Sequence, residues 1–204
     1  MTPPRPALWL LRHAQPLIAP GVCYGQLDIP ADASATLQAA LRFAPPISRT
    51  TVLRHSPLQR CEQLAHALIL WQSHLRSDNR LQEMHFGCWE GRAWNDIERA
   101  EVDAWTEDLH LTAPGGGESL QAMLLRVRDA LLESWRQDSQ CGQRDVIWVT
   151  HAGVIRCVQW LVQFGEAHVT AADWKLPAPP FGQYQALPWD SMAAALRGLQ
   201  VPSR

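Results

Sequence analysis

Two stretches of the chain follow one pattern. Ala7-Leu-Trp-Leu-Leu-Arg12 leads into His13-Ala14, and Asp145-Val-Ile-Trp-Val-Thr150 leads into His151-Ala152. Each is a short apolar run that closes on a polar residue and then His-Ala. A run apolar at successive positions marks a strand buried on both faces, as in a parallel sheet covered by helices. Thr51-Val-Leu-Arg-His55 is a third run of this shape, and a last strand is expected around residues 181–187, after the loop Pro177-Ala-Pro-Pro180. Helical patterns fill residues 34–44, 57–74, 92–108 and 119–137, and a further helix runs from Ala152 through Val162. In the fourth of these, Leu120, Met123, Leu124, Val127 and Leu131 share one stripe. Strands alternating with helices predict a three-layer α/β/α sandwich with a mostly parallel central sheet, in one domain over residues 1–204. The reactive crevice of such a sheet lies beyond the carboxyl ends of its strands. His13 and His151 are both expected there.

Composition narrows the class. With 204 residues, 47% of them hydrophobic, the chain buries a full core, which excludes disordered and disulfide-stapled folds. A formal charge of −2 supplies no basic excess for a nucleic-acid backbone. Five scattered cysteines without a C-x-x-C pair suit a reducing cytoplasm and neither a zinc ribbon nor a disulfide frame. The opening Met1-Thr-Pro-Pro-Arg-Pro6 and short apolar run do not make a signal peptide, and no apolar segment reaches membrane-spanning length. The expectation is a soluble, cytoplasmic protein with neither a membrane nor a nucleic-acid partner.

The sharpest local signal is Ser56-Pro57-Leu58-Gln59-Arg60, with Ser at the N-cap, Pro at the first helical position and Gln at the third. Arg60 then falls in the first turn, where the helix dipole disfavours a cation. A docked anion would explain it; a surface ion pair would do equally well. Arg12 sets a guanidinium beside His13, and His151 precedes the helix that opens at Ala152-Gly153. Two histidines and two arginines directed at one crevice describe a site for a multiply charged oxyanion such as a phosphoryl group.

Five blocks then carry a resemblance: Leu11-Arg12-His13-Ala14, Ser56-Pro-Leu-Gln-Arg60, Glu83-Met-His-Phe-Gly-Cys-Trp-Glu-Gly91, Pro114-Gly-Gly-Gly-Glu-Ser119 and Val149-Thr-His151-Ala-Gly153. In order and approximate spacing, they resemble the histidine phosphatase superfamily, the phosphoglycerate-mutase-like phosphatases. The stretch Pro20-Gly-Val-Cys23-Tyr24-Gly25-Gln-Leu-Asp28-Ile-Pro30 is further similar to the α-ribazole phosphatase branch of cobalamin biosynthesis. The resemblance implies that His13 is a nucleophile forming a phosphohistidine. It implies that Arg12, Arg60 and His151 hold the phosphoryl oxygens and that Glu83 is the general acid and then base. No metal and no cofactor is implied; the partners are a small phosphorylated substrate and inorganic phosphate. Cys23 and Tyr24, on the loop after His13, and Gly153 are expected to contact substrate.

Two positions depart from the family pattern: Ala14 stands where Gly is usual, and His85 where Asp is usual. The Ala14 methyl is tolerable at negative φ, and His85 is expected at the rim. His55 reads as structural. Gly115–Gly117 read as a turn into the helix that follows rather than a phosphate cradle. Trp89, Trp94 and Trp105 are placed to roof the crevice and stack on an aromatic substrate, although core packing explains any one of them. The alternatives are a phosphatase of another small phosphorylated metabolite or phosphoprotein, and a non-catalytic phosphate-binding relic.

Overall fold

A computed structural model describes residues 5–43, 51–68 and 75–200. Five strands form one sheet in the order β3-β2-β4-β1-β5. They are β1 (Ala7–Arg12), β2 (Val52–His55), β3 (Leu75–Ser77), β4 (Val146–Thr150) and β5 (Tyr184–Pro188). All neighbouring pairs are parallel except β1–β5. Alternation along β1 and β4 sends Leu8, Leu10, Val146 and Trp148 into a core with α4 (Leu120–Glu133), α5 (Ala152–Phe164) and α6 (Trp189–Gly198). Leu11, Ile147 and Val149 face the opposite core, built with α1 (Ala33–Arg42) and α2 (Gln59–Leu68). The expected mostly parallel sheet between two helical layers is what forms. None of the helices among the described residues is long and apolar enough to cross a membrane.

The helix that begins after Ser119 is α4, and the Ser119 hydroxyl accepts from Ala122 N–H at 3.2 Å as its cap. It continues into a π-turn at Ser134–Asp138. The helix expected from residue 92 begins later, as α3 (Arg99–Glu107), because residues 94–96 close a separate 3₁₀ turn. In the second expected helix, 57–74, α2 starts at Gln59, and residues 69–74 lie outside the described residues, as does Ala44 of the first.

Candidate active site

The carboxyl ends of β1, β2 and β4 meet at one edge, and the sheet ladder runs one step past them. His13 N–H donates to the Thr150 carbonyl, and Ser56 N–H to that of Val149, each at 3.0 Å. His13 and His151 are thereby set side by side, with ring centroids 5.2 Å apart. His13 Nδ1–H donates to the Ala14 carbonyl at 2.7 Å. That bond fixes the tautomer and leaves the lone pair on Nε2. Burial first, and the Arg60 and Arg12 cations after it, push the His13 pKa down to about 3, so the imidazole is neutral and nucleophilic at ordinary pH. His151 is fully buried, and burial with the Arg60 cation and His13 holds it well below the usual histidine range. Its Nε2 lies 2.8 Å from Ser56 Oγ and 3.4 Å from Cys61 Sγ.

Both arginines of the cluster carry a buried donor with nothing to bind. Arg60, fully buried, donates through Nη1 and Nη2 to the carbonyls of Leu27 (2.9 Å) and Gly25 (2.6 Å). Arg12 donates through Nη1 to the Pro179 carbonyl at 3.1 Å, and its guanidinium carbon lies 3.9 Å from the Phe181 ring centroid. The Nε–H of each is buried without a protein acceptor. A buried, unsatisfied donor on a charged group is costly; a bound oxyanion would satisfy both.

Glu83 closes the cluster. Its Oε2 accepts from Gly153 N–H and its Oε1 from Met84 N–H, both at 3.0 Å. A Cβ at residue 153 would stand 2.0 Å from Glu83 Oε1, so only glycine leaves the carboxylate this seat on the first turn of α5. Arg126, on α4, clamps the chain leading to Glu83. It donates to the carbonyls of Arg80, Gln82 and Glu83 at 2.7–3.2 Å and pairs with Glu118.

A cavity of about 480 Å³ opens over this edge. Arg12, Tyr24, Glu83, Gly153 and Arg156 are its polar wall. Phe86, Trp94, Trp105 and Trp174 give it a broad aromatic one. Trp94 and Trp105 lie nearly parallel, 14° apart, and Phe86 meets both edge-on. His13, Arg60 and His151 do not reach the wall. They are buried at the polar end, where the Tyr24 ring lines the cavity and its centroid lies 5.5 Å from the Arg60 guanidinium carbon.

A family model of the histidine phosphatase superfamily (branch 1) matches residues 8–176. The chain belongs to this superfamily. The adenosylcobalamin/α-ribazole phosphatase of Salmonella typhimurium is 29% identical over 163 residues, covering 72% of this chain and 75% of that protein. The glucosyl-3-phosphoglycerate phosphatase of Mycobacterium tuberculosis is 30% identical over 135 residues, 58% of this chain and 53% of that one. A mycobacterial glucosyl-3-phosphoglycerate phosphatase solved with VO3 superposes with a TM-score of 0.70 at 26% identity, over 90% of this chain and 92% of its own. This histidine phosphatase is therefore an enzyme acting on a phosphorylated substrate.

Within the phosphatase, Cys23 does not line the cavity, contrary to the sequence expectation. The segment around it is extended, bridging Val22 to Ala93, with Cys23 N–H donating to the Arg92 carbonyl at 2.8 Å. Alternation turns Val22 and Tyr24 toward the cavity and Cys23 away from it. Cys23 is buried among Trp89 and Ile97, and burial with the nearby Glu90 charge pushes its thiol up to about 12. It packs and does not face substrate. Trp89 is likewise beneath the roof, its indole N–H held by Glu101 at 2.7 Å. Ala14 has negative φ and packs into the α1–α2 core; His85 is exposed at the rim, off the cavity wall. Gly115–Gly117 turn the chain against His85, Phe86 and Trp89 and do not line the cavity.

The α2 start also differs from expectation. Asp28, from the loop after β1, accepts from Gln59 N–H at 2.7 Å and caps the helix across 31 residues, while the expected cap, the Ser56 hydroxyl, accepts from Leu58 N–H at 3.4 Å and also lies 2.8 Å from His151 Nε2. Sequence reasoning missed this cap, the Arg126 clamp, and the cavity residues Arg156 and Trp174. Each acts across a long separation that local spacing does not encode.

Proposed function

We propose that this enzyme is a metal-independent phosphomonoesterase that works through a phosphohistidine and dephosphorylates α-ribazole 5′-phosphate in cobalamin biosynthesis, in the cytoplasm. The cavity carries the reading. Arg12, Tyr24 and Glu83 share its wall with Phe86, Trp94, Trp105 and Trp174, which suits an ester with a phosphoryl head and a flat aromatic body. Similarity to the Salmonella phosphatase points the same way.

In the proposed reaction the phosphoryl group enters between Arg12 and Arg60, and Tyr24 swings aside to admit it. His13 Nε2 attacks phosphorus as the ester P–O bond breaks, and the protonated Glu83 gives its proton to the departing alkoxide. Glu83 then takes a proton from water, which attacks phosphorus, breaks the P–N bond and frees inorganic phosphate. Arg12, Arg60 and neutral His151 stabilise the equatorial oxygens throughout, as phosphoryl transfer requires.

The test is rapid-quench labelling with a ³²P-labelled substrate, alongside kcat/KM over a phosphate panel. Wild type is expected to show an acid-labile, alkali-stable label, absent in His13→Ala, with α-ribazole 5′-phosphate ranking first. Turnover surviving His13→Ala removes the mechanism. A phosphorylated sugar acid ranking first keeps the mechanism and replaces the substrate, a reading favoured by the similarity to the mycobacterial phosphatase.

A further inference from the structure

The catalytic cluster leaves Arg156 unused. It stands on α5, one turn beyond Gly153, and lines the cavity. Its Nε–H donates to the Leu176 carbonyl at 2.9 Å, which ties the guanidinium to the loop carrying the cavity residue Trp174. No carboxylate pairs with it among the described residues. It shares that wall with the aromatic rings and a second cation, Arg12. The two are close enough for the Arg156 charge to bear on Arg12, opposing the protonation of its guanidinium alongside the larger effect of burial. Two like charges facing one half-apolar cavity, with the single carboxylate Glu83 already held by two backbone amides, are a poor arrangement for an empty protein. They suit a ligand that brings oxygen acceptors to both.

We propose that Arg156 is a specificity-determining residue, whose terminal N–H groups bind an oxygen of the leaving group between the phosphoryl site and the aromatic wall. The substrate class follows: phosphomonoesters in which a hydroxyl- or carboxylate-bearing segment links the phosphate to a flat apolar body. This rests on the phosphatase reading above and narrows it. A guanidinium held at Nε presents its two Nη groups in a fixed fork, which a lysine cannot reproduce. A bare aryl phosphate gains the rings and misses Arg156.

The experiment compares two aromatic esters, α-ribazole 5′-phosphate and 1-naphthyl phosphate, on wild type, Arg156→Gln and Arg156→Lys. Hydrolysis of either ester by wild type establishes the phosphatase reading independently, and hydrolysis of neither would defeat that reading rather than this one. Arg156→Gln is expected to lower kcat/KM for the ribosyl ester about 10- to 100-fold, the range of one hydrogen bond to a charged donor. The naphthyl ester should change less than twofold, with Arg156→Lys in between. Equal losses on both esters would mean that Arg156 grips the phosphoryl group itself. No loss on either would mean that it only anchors the 176 loop. Either result overturns the assignment. Competitive inhibition by inorganic phosphate, unchanged in Arg156→Gln, confirms that the variant is folded; weakened inhibition counts with the first of those outcomes.

Discussion

A methyl group at residue 153 would stand 2.0 Å from Glu83 Oε1 and 3.1 Å from the Met123 terminal carbon. Alanine there favours the helix, by up to about 1 kcal/mol, yet it expels the carboxylate from the two amides that hold it. Gly153→Ala is therefore expected to lower the melting temperature modestly, because the two amides lose their acceptor, while lowering kcat about 10²-fold on an alkyl phosphate, the lower range of a lost general acid. On 4-nitrophenyl phosphate, whose leaving group needs little protonation, the loss should be several-fold smaller. Steady-state kinetics on the two esters checks this. Equal losses would mean that the methyl blocks the phosphoryl site and that Glu83 is not the proton source.

At the scale of elements, β2 carries the least expected feature of the fold. Arg54 is 2% exposed in a four-residue strand, between apolar Leu53 and buried His55. It bonds Asp138 at 2.5 Å, Glu133 at 2.7 Å and Asp78 at 2.9 Å, tying β2 to the end of α4 and its π-turn. Removing one partner of such a network strands the others. Arg54→Met should destabilise by about 3–5 kcal/mol because the buried Asp138 loses its main counter-charge. Urea denaturation measures it, and kcat at a permissive temperature should hold, since Arg54 does not line the cavity. The same elements separate what was legible in the sequence from what was not. β1 and β4 were legible because burial on both faces writes an unbroken apolar run, and α4 because its stripe and Ser119 cap are local. β3 is three residues long and partly exposed, with Arg76 and Ser77 in it, so it has no such signature. α6 follows Pro188 with no side-chain cap and is held by Trp189, Met192 and Leu196 packing on the sheet. Four of the five expected catalytic residues sit at strand tips or in the first turn of a helix, where position follows from topology. Glu83 owes its seat to Arg126 and Gly153, contacts 43 and 70 residues away. The facing of Cys23 is not legible locally, because it depends on the bridge of Val22 to Ala93, which no local pattern announces.

For the molecule as a whole, the histidines set how stability follows pH. His13, His110 and His151 all have depressed pKa values, with burial the leading cause in each. Unfolded, each imidazole takes a proton as pH falls through about 6.5; folded, His13 stays neutral down to about 3. Between those values the unfolded chain binds more protons, so stability is fully present above pH 6.5 and is lost as the pH falls. His13 alone should remove roughly 2 kcal/mol between pH 7.5 and pH 5. Asp78 and Glu133 add their own loss only at lower pH. Burial raises both, but hydrogen bonds from Arg80 and Arg54 outweigh it and hold them below the usual carboxylate range. Urea titrations at pH 7.5 and 5.0 isolate the histidine contribution, and His13→Asn should narrow the gap between them by about that amount. An unchanged gap would mean that folded His13 already carries a proton at pH 5. A protonated imidazole has no lone pair to offer phosphorus, so the same titration bears on whether the proposed phosphohistidine can form in mild acid.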